Sequence, residues 1–229
     1  EGALQLARDT LAFVQKQAPR PRLARTFDTL AATCEQCPKS NAVQRNALRK
    51  KVLNLRRQII FSHPDLDFDN LLICKRPPPT FNHQSDQYLG RHSRPGPGLV
   101  ILENWKTTPR ETALLKDRLP PGSALHPDLS FDGKRILFAY CDHTVDDPRL
   151  RRFFLYEIGL ENHTLRQLTG TPDDRFETRG GRHTVLIEDW DPCYLPDGGI
   201  AFVSTRNQGG VRCHHGGRCC PTYTLYRSD

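Results

Sequence analysis

Methionine is absent from all 229 residues, tryptophan occurs twice, and no apolar run approaches the roughly 20 residues that a membrane helix needs. The missing run excludes a membrane-spanning helix within this chain, and a mean hydropathy of −0.61 agrees. In a chain that starts at Glu1, the lack of methionine points to a piece of a longer polypeptide, so the absence of a signal peptide is uninformative about the parent. There is no Gly-x-Ser-x-Gly elbow and no phosphate-cradling glycine loop, which removes the simplest hydrolase and nucleotide-binding readings. The one Cys-x-x-Cys, Cys34–Cys37, is followed by Pro38 and not by histidine, so covalent haem attachment within the chain is excluded. Acidic charge is scarce at one end only: residues 1–57 hold 12 Lys/Arg against 4 Asp/Glu, and the remainder holds 21 against 22. A basic helical arm of this kind could touch nucleic acid or anionic lipid, but it reads more readily as a solvated helical face, because no aromatic residues are interleaved with the charges. Eight cysteines point to an oxidising, extracytoplasmic compartment, periplasmic or secreted.

Residues 1–57 have helical periodicity. Leu4, Ala7, Leu11 and Val14 predict a helix over 3–17, broken by Pro19 and Pro21. Leu23, Phe27 and Leu30 predict a second over 22–33. Ser40 is the expected cap of a third, running to Arg57 with Val43, Ala47, Leu48, Val52 and Leu55 as its stripe. From Gln58 the pattern turns strand-like. Ile59-Ile60-Phe61, Ile136-Leu137-Phe138 and Ile200-Ala201-Phe202 share one form, which makes Phe61, Phe138 and Phe202 equivalent. Asp132-Gly133 and Asp197-Gly198 turns precede the later two, and the strands 98–104, 153–159 and 222–228 follow. Leu114 and Leu168 close the first two units. Four short strands per unit, repeated radially, predict a mainly β fold: an incomplete β-propeller of two to three blades, with an α-helical region before it. The expected boundaries are 1–57 for the helical region and 58–229 for the blades, at 58–117, 126–169 and 190–229.

The series LDFDNLLICKR, FNHQSDQYLG, RPGPGLVILEN, LSFDGKRILFAYC, DPCYLPDGGIAFVSTR and PTYTLYR resembles the hydrazine synthase α-subunit family, with WD40-like PD40 blades of the TolB type, over about residues 48–229. The resemblance implies an exported propeller that acts as a scaffold or binding module for a protein partner or a small ligand. It also implies an alternative, the propeller of a haem- or metal-dependent oxidoreductase subunit whose haem motifs lie outside this chain. No catalytic residue of that family can be transferred to a position here.

Several clusters have the residue types of a site. Cys213, His214, His215, Cys219 and Cys220 have soft ligands suited to zinc, although a disulfide closing the same loop, or free thiols, is the commoner outcome. His83, Asp86, Tyr88 and His92 sit in a long polar loop, 80–97, which suits a metal or a proton relay. Asp65, Asp67 and Asp69 mimic the opening of a calcium loop, but Asn70 and Arg76 stand where glycine and glutamate are required. Glu188, Asp189 and Asp191, with Cys141, Asp142 and His143, are expected to line the channel end of the blades, and pairing with Arg179 and Arg182 is the plainer explanation for the acids.

Overall fold

The computed structural model describes residues 2–78, 90–171, 173–177, 184–207, 210–215, 218–221 and 223–229. It divides into a helical unit, Glu1–Leu71 with Asn104–Pro109, and a sheet unit, Leu72–Glu103 with Arg110–Asp229.

The helical unit holds α1 (Gly2–Gln17), α2 (Pro21–Glu35) and α3 (Ala42–Phe61). Pro21 opens α2 in the first turn, where its missing N–H costs nothing. Asn41, not Ser40, caps α3: its side chain accepts from the Gln44 N–H at 3.0 Å. The core is Ala7, Leu11, Val14, Phe27, Ala31, Val52, Leu55 and Ile59. The strand expected over 58–62 is instead the last turn of α3. Ile59 extends the buried series Leu48, Val52, Leu55 at helical spacing and is fully buried, so the tertiary stripe outweighs the β preference of Ile-Ile-Phe. Phe61 therefore has no equivalence with Phe138. Its ring meets Trp105 edge-on at 5.0 Å, and Trp105 stacks on Phe68 at 5.3 Å.

The sheet unit is built on one antiparallel sheet of four strands in sequence order, β4 (Gly122–Leu129), β5 (Arg135–Asp142), β6 (Phe153–Gly159) and β7 (Leu165–Gln167). Ile136 to Cys141 are buried without interruption because both faces of β5 are covered. Alternation sends Ile136, Phe138 and Tyr140 to one side, where they join Leu99, Leu114 and Leu115. Ala139 and Cys141 go to the other side and meet Phe153, Leu155, Trp190 and Phe202. The first of these layers belongs to a three-stranded sheet, β1 (Asn70–Lys75), β2 (Gly98–Glu103) and β3 (Arg110–Ala113). The second belongs to another, β10 (Asp189–Tyr194), β11 (Ile200–Ser204) and β14 (Thr224–Ser228). Two hairpins complete the described strands, β8 (Arg175–Glu177) with β9 (Thr184–Leu186), and β12 (Gly210–His215) with β13 (Arg218–Pro221). The fold is mainly β with a helical N-terminal region, as expected.

The second and third large sheets repeat one another residue by residue. Leu125 pairs Ala139 and Asp128 pairs Leu137 across a bulge, and Trp190 pairs Val203 and Cys193 pairs Ala201 across another. The bulged residues, His126 and Asp191, both take left-handed backbone angles, φ 45° and 49°. Each is followed by proline, whose lack of an N–H is tolerated where the ladder is interrupted. Gly133 (φ 71°) donates to Ser130 O at 2.8 Å, and Gly198 (φ 93°) donates to Leu195 O at 3.0 Å. Phe138 stacks on its cross-strand partner Tyr156 at 5.9 Å, and Phe202 on Tyr226 at 6.1 Å. The first sheet corresponds to the last three strands of this pattern. Leu114 N donates to Leu99 O at 2.9 Å just as Leu168 N donates to Leu155 O at 2.8 Å. Its turn sequence is Phe68-Asp69-Asn70, so the repeat runs through Asp69, Asp132 and Asp197, at intervals of 63 and 65 residues.

Both turn glycines have open space where a Cβ would go, so substitution there costs conformational energy alone. Gly133→Ala and Gly198→Ala should each lower the stability of the chain by about 1–2 kcal/mol, and Gly133→Asn by less, as read from urea denaturation midpoints.

Candidate functional site

The sheets have two ends. The Asp-Gly turns form one. At the other lie the start of β4, the end of β5, the starts of β6 and β10 and the end of β11, and the segments between the second and third strands of each repeat (76–97, 143–152 and 205–223) leave from this end. Charge is buried here. Glu188 and Asp189 are 1% and 0% exposed, a costly placement unless each carboxylate is neutralised.

Each acid has its own arginine. Arg91, from the first long segment, reaches Glu188 with both sides of its guanidinium, Nε to Oε1 at 3.2 Å and Nη2 to Oε2. Burial works against the Arg91 charge, but the Glu188 carboxylate more than offsets it, so the arginine pKa is raised. Thr205 fixes the Glu188 backbone: its Oγ1 accepts from Glu188 N at 2.8 Å and its N–H donates to Glu188 O at 3.1 Å. Arg206 pairs Asp189 through Nη1, donates to Ser204 Oγ at 2.8 Å and lies 3.8 Å from Asp174. Arg151 ties the segments together, donating to Arg91 O at 2.6 Å, Val145 O at 2.8 Å and His143 O at 3.2 Å.

The expected channel residues therefore divide. Glu188 and Asp189 meet at this end with the buried Cys141 and His143. Asp142 lies beside them but is turned to its own loop, where Oδ1 accepts from the Thr144 N–H and hydroxyl at 2.7 Å each. Asp191 is elsewhere: it sits in the bulge of β10 and contacts His126, its counterpart in the bulge of β4. The buried acids pair with Arg91 and Arg206, while Arg179 and Arg182, the partners expected from the sequence, lie outside the described residues. Neither described partner was singled out from the sequence. The usable signal was the rule that buried carboxylates have cations, but 21 Lys/Arg after residue 57 offered too many choices.

His92 contributes to the electrostatics of Asp147, while His83, Asp86 and Tyr88 lie outside the described residues. The backbones of 210–215 and 218–221 pair as β12 and β13, with His214 opposite Cys219. The side chains of Cys213, His214, His215, Cys219 and Cys220 also lie outside the described residues. Among the described residues no group of three or more His, Cys, Asp or Glu could hold a metal ion. Cys34, Cys37, Cys74 and Cys193 are thiols. A pocket of about 350 Å³ is lined by Pro97 from the first long segment together with Leu115, Leu119, Pro121, Gly122 and Tyr140 among others. The Tyr140 hydroxyl donates to Pro120 O, and burial, then Asp142, pushes its pKa up to about 12. Neither a protein-family model nor a curated protein matches the chain.

Glu188→Gln should cost about 3–5 kcal/mol, because it leaves Arg91 buried without its counter-charge, and Arg91→Met with Glu188→Leu should recover most of that loss. Urea denaturation of the three proteins checks it. Four carboxyls have lowered pKa values: Glu103 through the Arg110 guanidinium and the Thr112 hydroxyl, Asp132 through the Ser130 hydroxyl and Lys134 N–H, Asp147 through the Arg149 guanidinium, and Asp197 through the Gly199 N–H. Their contribution to stability is present above the unfolded value of about 4 and lost as pH falls through the lowered folded values. Tyr140 has the opposite sign, contributing fully below about pH 10 and losing that contribution as pH rises through about 12. The expected midpoints of urea unfolding fall at both extremes, and Tyr140→Phe removes the Tyr140 share of the alkaline loss.

Proposed function

We propose that the chain is part of an exported β-propeller of the hydrazine-synthase-α-like type, serving as a scaffold or binding module without catalysis of its own. Its three large sheets are consecutive blades. The observation that carries this reading is the recurrence of one strand–turn–strand unit at Asp69, Asp132 and Asp197, with matched bulges and matched Phe–Tyr pairs in the later two. Radial repetition of such sheets is how a propeller protects strand edges. It also gives each sheet two covered faces, as β5 has.

The ligand or partner meets the loop end that carries Arg91, His143, Glu188 and Asp189. Long segments leave each repeat at the same place, which supports this, because loops held by a rigid scaffold are where binding residues concentrate. The buried ion pairs hold those segments in place.

Electron microscopy of the parent polypeptide tests the reading. A closed ring of about four to eight radial sheets, with the three described here adjacent, is the expected image. An open stack or a two-sheet sandwich would overturn it.

A further inference from the structure

Helix α3 carries Arg45, Arg49, Lys50, Lys51, Arg56 and Arg57 and no acidic residue over its 20 positions. Among the described residues none of these six makes an ion pair; Arg56 donates to the Thr10 hydroxyl at 3.0 Å and Arg45 to Lys39 O at 3.2 Å. The sheet unit differs sharply: Arg91, Arg110, Arg135, Arg149, Arg166, Arg206 and Arg227 each face a carboxylate. The positive charge of α3 is therefore not consumed inside the fold.

The geometry of the helix concentrates it. Leu48, Val52, Leu55 and Ile59 form the buried stripe. Val43, Lys50, Leu53 and Arg57 lie on the opposite side at spacings of three, four and seven, and all are exposed, Val43 by 83% and Leu53 by 40%. Apolar and basic side chains thus alternate along the outward line, over the roughly 30 Å of a helix this long. The line continues to Phe61, whose ring lies 4.8 Å beneath the Arg57 guanidinium, and Lys106 sits 5.8 Å over Trp105 in the same aromatic cluster. Exposed Asp65, Asp67 and Asp69 follow directly and end the positive strip.

We propose that this face of α3 docks on an anionic membrane surface, with the helix parallel to the surface. Lysine and arginine would meet the lipid phosphates and Val43 and Leu53 would enter the headgroup boundary. A nucleic acid would use the cations but leave the interposed apolar side chains against its charged backbone, so the lipid surface fits better. The face belongs to the helical unit and works in the same way whether or not the sheets close into a propeller.

The full chain is sedimented with vesicles of phosphatidylcholine alone and with vesicles that also hold about one quarter phosphatidylglycerol. Binding is expected only to the anionic vesicles, and lost in salt on the order of 1 M, where the screening length is ~3 Å. Each neutralised cation should weaken binding about fivefold, so Lys50→Gln with Arg57→Gln should weaken it about 25-fold. Circular dichroism of that variant should be unchanged, since both side chains are exposed. Equal binding to the two vesicles, no binding to either, or an unaltered double variant would overturn the proposal. Tighter binding to a homopolymeric RNA than to the anionic vesicles at the same salt would overturn it in favour of a nucleic-acid surface.

Discussion

Strand β5 has no solvent side. Six consecutive residues, Ile136 to Cys141, are buried, and this requires a layer against each face of the sheet. The neighbouring sheets meet that requirement, one through Leu99, Leu114 and Leu115, the other through Trp190 and Phe202. Full burial of a side chain such as Phe138 contributes on the order of 1.5–3 kcal/mol, so the central strand ties the sheet unit together. A strand with one wet face would show alternation, and β5 shows none between Ile136 and Cys141.

The bulges and turns follow from the same need. The sheets pack through side chains of fixed alternation, and a one-residue slip would turn every buried position outward. Two devices pin the register. The left-handed bulge at His126 and again at Asp191 re-aims the strand at the same step of each sheet, and the Asp-Gly turn closes the hairpin below it. The two hairpins differ by one residue: Ser130 N donates to Arg135 O, whereas Leu195 N donates to Gly199 O. This is why strand positions before the turn repeat at 65 residues and those after it at 64. Contact between His126 and Asp191, and the Tyr194 N–H donated to Asp128 at 2.8 Å, join the repeats at their bulges.

At the opposite end of the sheets the structure accepts buried charge. Glu188 immediately precedes β10 and Asp189 begins it, and two arginines from separate segments neutralise them. Such pairs contribute little net stability compared with an apolar replacement, but removing one partner is expensive. Their effect is to hold the long segments in a defined arrangement around the loop end.

Local pattern was sufficient for the three helices, the Asp-Gly turns, the strands 135–142, 153–159 and 200–204, and the mainly β class, because periodicity and turn chemistry are written in adjacent residues. It was insufficient at 58–62, where Ile-Ile-Phe reads equally as strand or as a helix end, and only the packing of Ile59 against Leu55 and Val52 decided. The same ambiguity hid the first repeat at Asp69, since Asn70 replaces the glycine that marks the other turns. The partners of Glu188 and Asp189 could not be read at all: Arg91 is 97 residues from its carboxylate in sequence, and nothing local distinguishes it from the other arginines. Sequence by itself determined the segments whose periodicity or turn chemistry is unambiguous; the tertiary structure alone decided the end of α3 and which buried acid meets which cation, because those choices depend on packing and on distances set by the stacking of whole sheets.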